Sequence, residues 1–333
     1  MTATTLHGAA GSARSDFGDL RGEFRALLAT GGVYALGARA KISLTGGDRV
    51  RWLNGMTTNN VRDLAPGHGV YSFLLNPQGH ILADIYAYNR GDSLLVDTAL
   101  DQREKILQLF EHYIIMDDVE VANLSDKLTA LGLAGPPARH ILEKAGLQAP
   151  QLAPLQFADL QWRGIALTVA CGDNPALPCY EIWLAPEHVP ALWDALVRVG
   201  ARPVGTGALE LLRIASGLPR YGQDIRERDL PQETGQDRAL HFSKGCYIGQ
   251  EIVERVRAQG HVNKKLVRVE IEGGEALAPG SKLTADGAEA GEITSSVYSP
   301  AAEKALGLAI VRTAFAAAGS ALESQARRVL VLQ

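Results

Sequence analysis

The chain has 333 residues, 46% of them hydrophobic and 21% charged, which excludes a disordered or fibrous protein and asks for two or three domains with cores of their own. A formal net charge of −4 gives no global attraction to nucleic acid or an anionic membrane, so such binding would need a local basic patch. Three cysteines, Cys171, Cys179 and Cys246, are too few for a disulfide framework and lack zinc-site spacing, which fits a reducing, cytoplasmic setting.

The N-terminal stretch has no apolar signal core, Asp16 and Asp19 argue against an organelle transit peptide, and the first dozen residues read as a mobile tail. No apolar run is long enough to span a bilayer. Lys41 to Thr45 alternate as a strand, Gly46 and Gly47 turn the chain, and a helix starts near Asp48 as its N-cap. VYSFLLNPQGHILADIYAYN predicts two strands joined by a turn at Asn76 to Gly79. SLLVDTA is a strand leading into DQREKILQLFEHY, where Asp101 and Glu104 resemble a capping box and Ile106, Leu107, Phe110 and Tyr113 recur at helical spacing.

From Gly132 to Leu155 proline, glycine and alanine surround one short amphipathic piece, either a segment boundary or a docked helix. The strands GIALTVACG and CYEIWLAP precede the helix PEHVPALWDALVRVG, stopped by Gly200. After Lys265 come LVRVEIEGG, GSKLTA, EAGEITSSVYS and KALGLAIVR, short strands broken by glycine and proline, as in a small all-β barrel or sandwich. The whole is a mixed α+β architecture with a separate last domain.

Several residues carry possible chemistry. In FSKGCYIGQEIV the thiol of Cys246 follows Lys244 and Gly245 and precedes Tyr247, Gly249, Gln250 and Glu251. A nearby positive charge from Lys244, Arg255 or Arg257 would favour the thiolate, whereas a free cysteine is otherwise often a small buried hydrophobe. One cysteine does not hold a cluster by itself, so iron–sulfur chemistry at Cys246 would need ligands from another protein, and no resident metal is expected. Glu181 shares a strand face with Trp183 and leaves Tyr180, Ile182 and Leu184 on the other; Asp84 similarly aligns with Tyr86 and Tyr88. Either carboxylate alone is also what a solvent-facing strand residue looks like. Arg213, near the end of a helix stopped at Gly217, either points into a cavity or pairs with Glu210 one turn earlier. Arg255, Arg257, His261, Lys264, Lys265 and Arg268 form the most basic run, either solvated surface or a seat for a glutamate tail, RNA or an acidic partner. No aromatic interleaving favours RNA. Walker, dinucleotide-binding, zinc-protease and nucleophile-elbow motifs are absent.

In order, LTGGDRVRWLNGMTTNNV, LLNPQGHILADIYAY, CYEIWL, LRIASGLPRYGQDI and GEITSSVYSPAAEKALGLA resemble the folate-dependent aminomethyltransferase superfamily of the glycine-cleavage T-protein, from about Tyr34 onward. KGCYIGQE resembles the signature of one branch, the YgfZ-type folate-binding proteins that support iron–sulfur enzymes. The resemblance implies three domains around a central folate channel: a lead-in over 1–30, α+β folate-binding domains over 31–150 and 151–262, and a β-barrel over 263–333. It further implies tetrahydrofolate or a one-carbon derivative as cofactor, with Glu181 and Trp183 holding the pterin, Arg213 and Tyr221 at the same cavity, and Asp84 lining it. Where the aminomethyltransferases usually carry two adjacent aspartates, this chain has Ala83 and Asp84, which puts aminomethyl transfer in question. The expected function is support of iron–sulfur cluster assembly or repair, with Cys246 acting in trans on scaffold, carrier or client proteins; enzymatic turnover is left open. A folate-dependent one-carbon transferase and a tRNA-modification factor are the alternatives, and direct nucleic-acid binding is not expected.

Overall fold

The structure is a computed structural model that describes residues 14–300 and 302–332. The expected N-terminal tail of a dozen residues lies outside them. The chain divides into two compact units. The described residues up to Gly55, with Asn60–Ser72 and Ile85–Leu209, form the first; Met56–Asn59, Phe73–Asp84 and the described residues from Glu210 onward form the second.

Within the expected lead-in, α1 (Leu20–Ala29) is an ordered helix, because Asp19 caps it by accepting the Gly22 N–H and Phe24 and Leu27 are buried. Strands β1 (Gly32–Ala35) and β2 (Arg39–Thr45) follow, then α2 (Arg49–Met56). The Asp48 carbonyl accepts the Trp52 N–H at 2.8 Å, but its carboxylate turns to the Asp118 N–H at 3.0 Å instead of capping α2. Strands β3 (His68–Leu75) and β4 (Ile81–Asn89) flank the Asn76–Gly79 turn, closed by the Gly79 N–H on the Asn76 carbonyl at 2.9 Å. After β5 (Leu94–Ala99) a 3-10 turn, Leu100–Gln102, leads into α3 (Arg103–Tyr113). The Asp101–Glu104 capping box does not form: the turn starts with the Leu100 N–H on the Ala38 carbonyl, the cap moves to Gln102, and no side chain caps it.

The middle of the chain supplies β6 (Glu120–Asn123), β7 (Thr129–Ala134), α4 (Ala138–Lys144), β8 (Phe157–Trp162), β9 (Ile165–Cys171), β10 (Cys179–Leu184), α5 (Val189–Arg198), β11 (Arg202–Pro203) and α6 (Thr206–Ala215). Of the two readings for Gly132 to Leu155, the docked helix is the one observed: Ala138, Ile141 and Leu142 of α4 are buried beside Trp162, whose Nε1 donates to the Ala145 carbonyl at 2.8 Å.

A six-stranded sheet runs β11-β1-β7-β10-β9-β8, and a five-stranded sheet β3-β4-β5-β2-β6. The expected division at 150/151 passes through the first sheet, since β1 and β7 precede it and β8 to β11 follow it. One face of that sheet buries Tyr180, Ile182 and Leu184 with Leu192 and Leu196 of α5. The other buries Trp183, Ala130 and Ala170 with Tyr88 and Leu95. A fully buried large apolar side chain contributes about 1.5–3 kcal/mol, so Ile182, Trp183 and Leu184 commit both faces of the later half of β10 to core, while Cys179 and Glu181 before them are only partly buried.

The second unit carries α7 (Gln250–Gln259) and then β12 (Lys264–Ile271), β13 (Lys282–Ala285), β14 (Ala288–Ser299), β15 (Lys304–Arg312), β16 (Ala321–Ser324) and β17 (Arg327–Val331). The six strands close as β12-β15-β14-β13-β16-β17 around Val269, Ile293, Leu283, Ala309 and Val329, the expected barrel. Among the described residues no helix is long and apolar enough to cross a membrane.

Candidate functional site

Glu181 sits where three strands place one row of residues. Gly132 of β7 is paired with Tyr34 of β1 on one side and Glu181 of β10 on the other. A Cβ at position 132 would lie 2.0 Å from the Tyr34 ring, so glycine lets that ring lie across the strand beside Glu181. The Trp183 indole donates to Glu181 Oε2 at 2.8 Å, and Lys41 Nζ is 3.6 Å from the same oxygen. Oε1 meets no protein donor among the described residues. The side chain is 26% exposed, so the carboxylate is reachable but anchored.

Lys41 is fully buried and bonds the buried Asp97, which also receives Arg39 Nε at 2.9 Å. Two cations thus face two carboxylates, a balance that offsets the large penalty of burying either charge alone. The Lys41 ammonium also lies 4.7 Å from the Trp183 ring centroid. Tyr88 crosses Trp183 edge-on at 4.8 Å. Burial, then the negative charges of Glu181 and Asp97, push its phenol well above the ordinary value, so it stays a hydrogen-bond donor. This part of the unit offers an acceptor carboxylate on a bed of aromatic rings.

The cysteine motif belongs to the second unit, as do the MTTN and LLNPQG segments, and the three meet there. Lys244 is buried, donates to the Thr57 carbonyl and lies 5.0 Å from the Tyr247 ring. The His241 N–H donates to the Thr58 carbonyl at 3.0 Å. Gly249, at φ +82°, starts α7 so close to Leu75 and Asn76 that a Cβ there would lie 2.6 Å from the Asn76 carbonyl oxygen. Between these anchors Cys246 is exposed, whereas Cys171 and Cys179 are partly covered. The cations expected to favour its thiolate also have partners of their own: Lys244 as above, Arg255 with Glu251 at 2.8 Å, and Arg257 with Glu254 at 3.4 Å and over the Phe242 ring at 4.3 Å.

Arg213 spends all five of its N–H donors within the unit. Nε and one Nη2 hydrogen go to Glu210 at 2.9 and 2.6 Å, the other Nη2 hydrogen to Ser295 Oγ at 2.9 Å, and the Nη1 pair to the Leu218 carbonyl and Asp224 at 2.7 and 2.6 Å. The ion-pair reading of Arg213 is therefore the observed one, and no donor remains for a folate. Tyr221 lies in the Arg220–Ile225 loop, bridged to Ile225 and braced by Asp224, which accepts the Arg220 N–H at 2.9 Å. Asp84 is half-buried on β4, whose inward positions Ile81, Ala83 and Ile85 are fully buried. A carboxylate at position 83 would point into that core. The basic run is likewise divided: Lys264 pairs with the buried Asp229 at 2.5 Å, and Arg268 reaches the Ala215 carbonyl at 3.3 Å. Among the described residues no group of three or more His, Cys, Asp or Glu is placed to hold a metal ion.

Residues 11–244 match the GCVT N-terminal domain, and residues 264–331 match the glycine cleavage T-protein C-terminal barrel domain. The chain belongs to the glycine-cleavage T-protein family. An aminomethyltransferase of Rubrobacter xylanophilus is 31% identical over 298 residues, covering 89% of this chain and 80% of the relative. One of Geobacillus kaustophilus is 29% identical over 320 residues, covering 93% and 87%. The crystal structure of aminomethyltransferase T of the Bartonella henselae glycine cleavage system has the same fold, with a TM-score of 0.90 at 19% identity over 99% of this chain and 94% of that one. The family's fold, with its C-terminal six-stranded barrel, is thus the fold of this chain. These relatives bear the name of the expected alternative, the one-carbon transferase, and none of them that of the iron–sulfur branch.

Lys41, Asp97, Tyr34 and Gly132 escaped the sequence reading of this T-protein family member. A signal for two of them was there: Asp97 interrupts the apolar run SLLVDTA and Lys41 the run AKISL, the same break in apolarity that singled out Glu181.

Proposed function

We propose that the chain binds a reduced folate and acts as a folate-dependent one-carbon transferase, with Glu181 as the pterin anchor. The observation that carries the reading is the Glu181 carboxylate, fixed at Oε2 by Trp183 and open at Oε1. A pteridine offers an amino group and a ring N–H side by side, a donor pair that a carboxylate accepts with both oxygens. That edge is neutral, so accepting it leaves the charge balance of Lys41, Arg39, Asp97 and Glu181 intact. Trp183, Tyr88 and Tyr34 supply the flat apolar surroundings a ring needs. The folate would supply the one-carbon carrier nitrogens; proton management falls to a carboxylate of the chain, for which Asp84 is the candidate. The aminomethyltransferase relatives support the same reading.

Titrating tetrahydrofolate into the protein and into Glu181→Gln tests the anchor: wild type saturates, and the variant, keeping the shape but losing the charged acceptor, binds about ten- to a hundredfold more weakly. Equal affinities would refute the anchor. Turnover of a methylene- or methylfolate that survives Cys246→Ala and is lost in Asp84→Asn supports the transferase.

A second reading is favoured by one observation: Cys246 is the exposed thiol, on a loop pinned at both ends. With the KGCYIGQE resemblance to the YgfZ-type branch, it suggests that the folate protein supports iron–sulfur cluster assembly or repair, its thiol offered to a scaffold or client protein. Iron–sulfur enzyme activity in cells lacking their own copy, rescued by wild type but not by a folded Cys246→Ala, is the expected result. Equal rescue by both leaves the transferase reading alone.

A further inference from the structure

The outer face of the barrel holds a cleft of about 380 Å³ whose lining is charged. It follows from strand register. Lys264 of β12 stands directly opposite Arg312 of β15; two residues along β15, Ile310 stands opposite Glu292 of β14, and Glu292 opposite Lys282 of β13. Partners in register share a face, and the intervening Val311, Ile293 and Leu283 fill the barrel core. Arg226 and Arg228 add their guanidinium groups from the segment between α6 and α7. Five cations therefore line the cleft against two carboxylates, Glu289 and Glu292.

Two side chains, Arg312 and Arg228, show unspent capacity for an anion. Lys264 and Arg312 are like charges on directly paired positions, which destabilises a sheet. Asp229 neutralises Lys264, but Arg312 makes no ion pair among the described residues. Arg226 is already committed, donating Nη1 to Glu292 at 2.7 Å and holding its buried Nε 3.9 Å from the Asp229 carboxylate. Arg228 is 65% exposed and comes no nearer than 3.7 Å to Glu292. Glu292 itself, fixed by Lys282 at 2.9 Å and Arg226, shows that the cleft already holds a carboxylate firmly.

We propose that this cleft binds a small polyanion, a metabolite carrying phosphate or several carboxylates. Its size is that of a small-molecule pocket, and guanidinium forks match both anion types. No aromatic side chain lines it, so it lacks the stacking platform that single-stranded nucleic acid uses. The lining residues all belong to the second unit, and the inference is independent of the folate reading.

Calorimetric titration of the full chain at low salt, with inorganic pyrophosphate in one arm and citrate in the other, tests it. Saturable one-to-one binding in at least one arm is expected, weakening as salt is raised; the tighter arm identifies phosphate or carboxylate as the ligand chemistry. The double variant Arg228→Gln/Arg312→Gln loses two charge-assisted contacts and should bind at least about tenfold more weakly at an unchanged melting temperature. Glu289→Gln removes a competing carboxylate and should bind more tightly. Absence of saturable binding in both arms overturns the proposal, as does equal binding by the double variant. A single-stranded RNA oligomer that displaces pyrophosphate at lower concentration overturns the small-molecule assignment. If the double variant melts lower, Glu289→Gln decides: failure to tighten overturns the site.

Discussion

Lys41 has no exposure to solvent and is shared between Asp97, which it bonds, and Glu181 at 3.6 Å. Removing one member of a buried pair leaves the other charge uncompensated, at a cost of about 3–5 kcal/mol. Arg39 still reaches Asp97, so Lys41→Met should fall near the lower end, about 3 kcal/mol in urea denaturation. A loss under 1 kcal/mol would mean that Arg39 alone satisfies Asp97. The cysteines divide by the same logic of solvent access. Burial pushes the Cys179 thiol up to about 11, so it stays protonated and unreactive at neutral pH, while Cys246 is open to solvent. Alkylation at pH 8 followed by peptide mass spectrometry should mark Cys246 first; labelling of Cys179 at the same rate would contradict the burial described.

At the scale of the element, the Tyr34–Gly132–Glu181 row depends on the missing side chain of β7. Gly132→Ala puts a methyl against the Tyr34 ring, and overpacking of this kind costs about 1–3 kcal/mol. The ring lies beside Glu181, so tetrahydrofolate affinity should fall together with the melting temperature. Unchanged affinity in a destabilised Gly132→Ala would separate Tyr34 from the pterin site. The Arg213 network is a second case in which an element's end is fixed by its side chains. α6 stops where the guanidinium binds the Leu218 carbonyl and Asp224, and Asp224 in turn accepts Thr294 and Ser295 of β14 at 2.5 and 2.7 Å. Lysine has three donors where arginine has five, so even Arg213→Lys leaves buried acceptors unmet.

At the scale of the whole molecule, carboxylates held by arginine and lysine set the acid limit of stability. Hydrogen bonds from Lys282 and Arg226 hold Glu292 down to about 2, against an ordinary value of 4.5. Burial pushes Glu210 up, yet its pairs with Arg213 and Arg220 outweigh that and leave it below its ordinary value. A carboxyl whose value is depressed by folding contributes stability that is complete above its unfolded value and is lost as pH falls through the folded one. Stability should therefore decline between pH 4.5 and 2, and Glu292→Gln should decline less steeply over that window. Parallel declines would show that Glu292 has the same affinity for protons folded and unfolded.

Alternation and turn chemistry by themselves determined the strands around Asn76–Gly79, the split of β10 into a Glu181–Trp183 face and a Tyr180–Ile182–Leu184 face, and the late run of short strands that closes as a barrel. Each is a local property, decided by the period of two and by glycine or proline at fixed offsets. Ordered motifs likewise placed the chain in its family. Only the tertiary structure decided that β1 and β7 join strands from beyond residue 150, that Lys41 and Asp97 lie under Glu181, that Arg213 has no donor to spare, and that Lys244 donates to the Thr57 carbonyl. These depend on which strands pair and which polar groups are shut away from water together. Long-range pairing and shared burial leave no periodic trace in the chain.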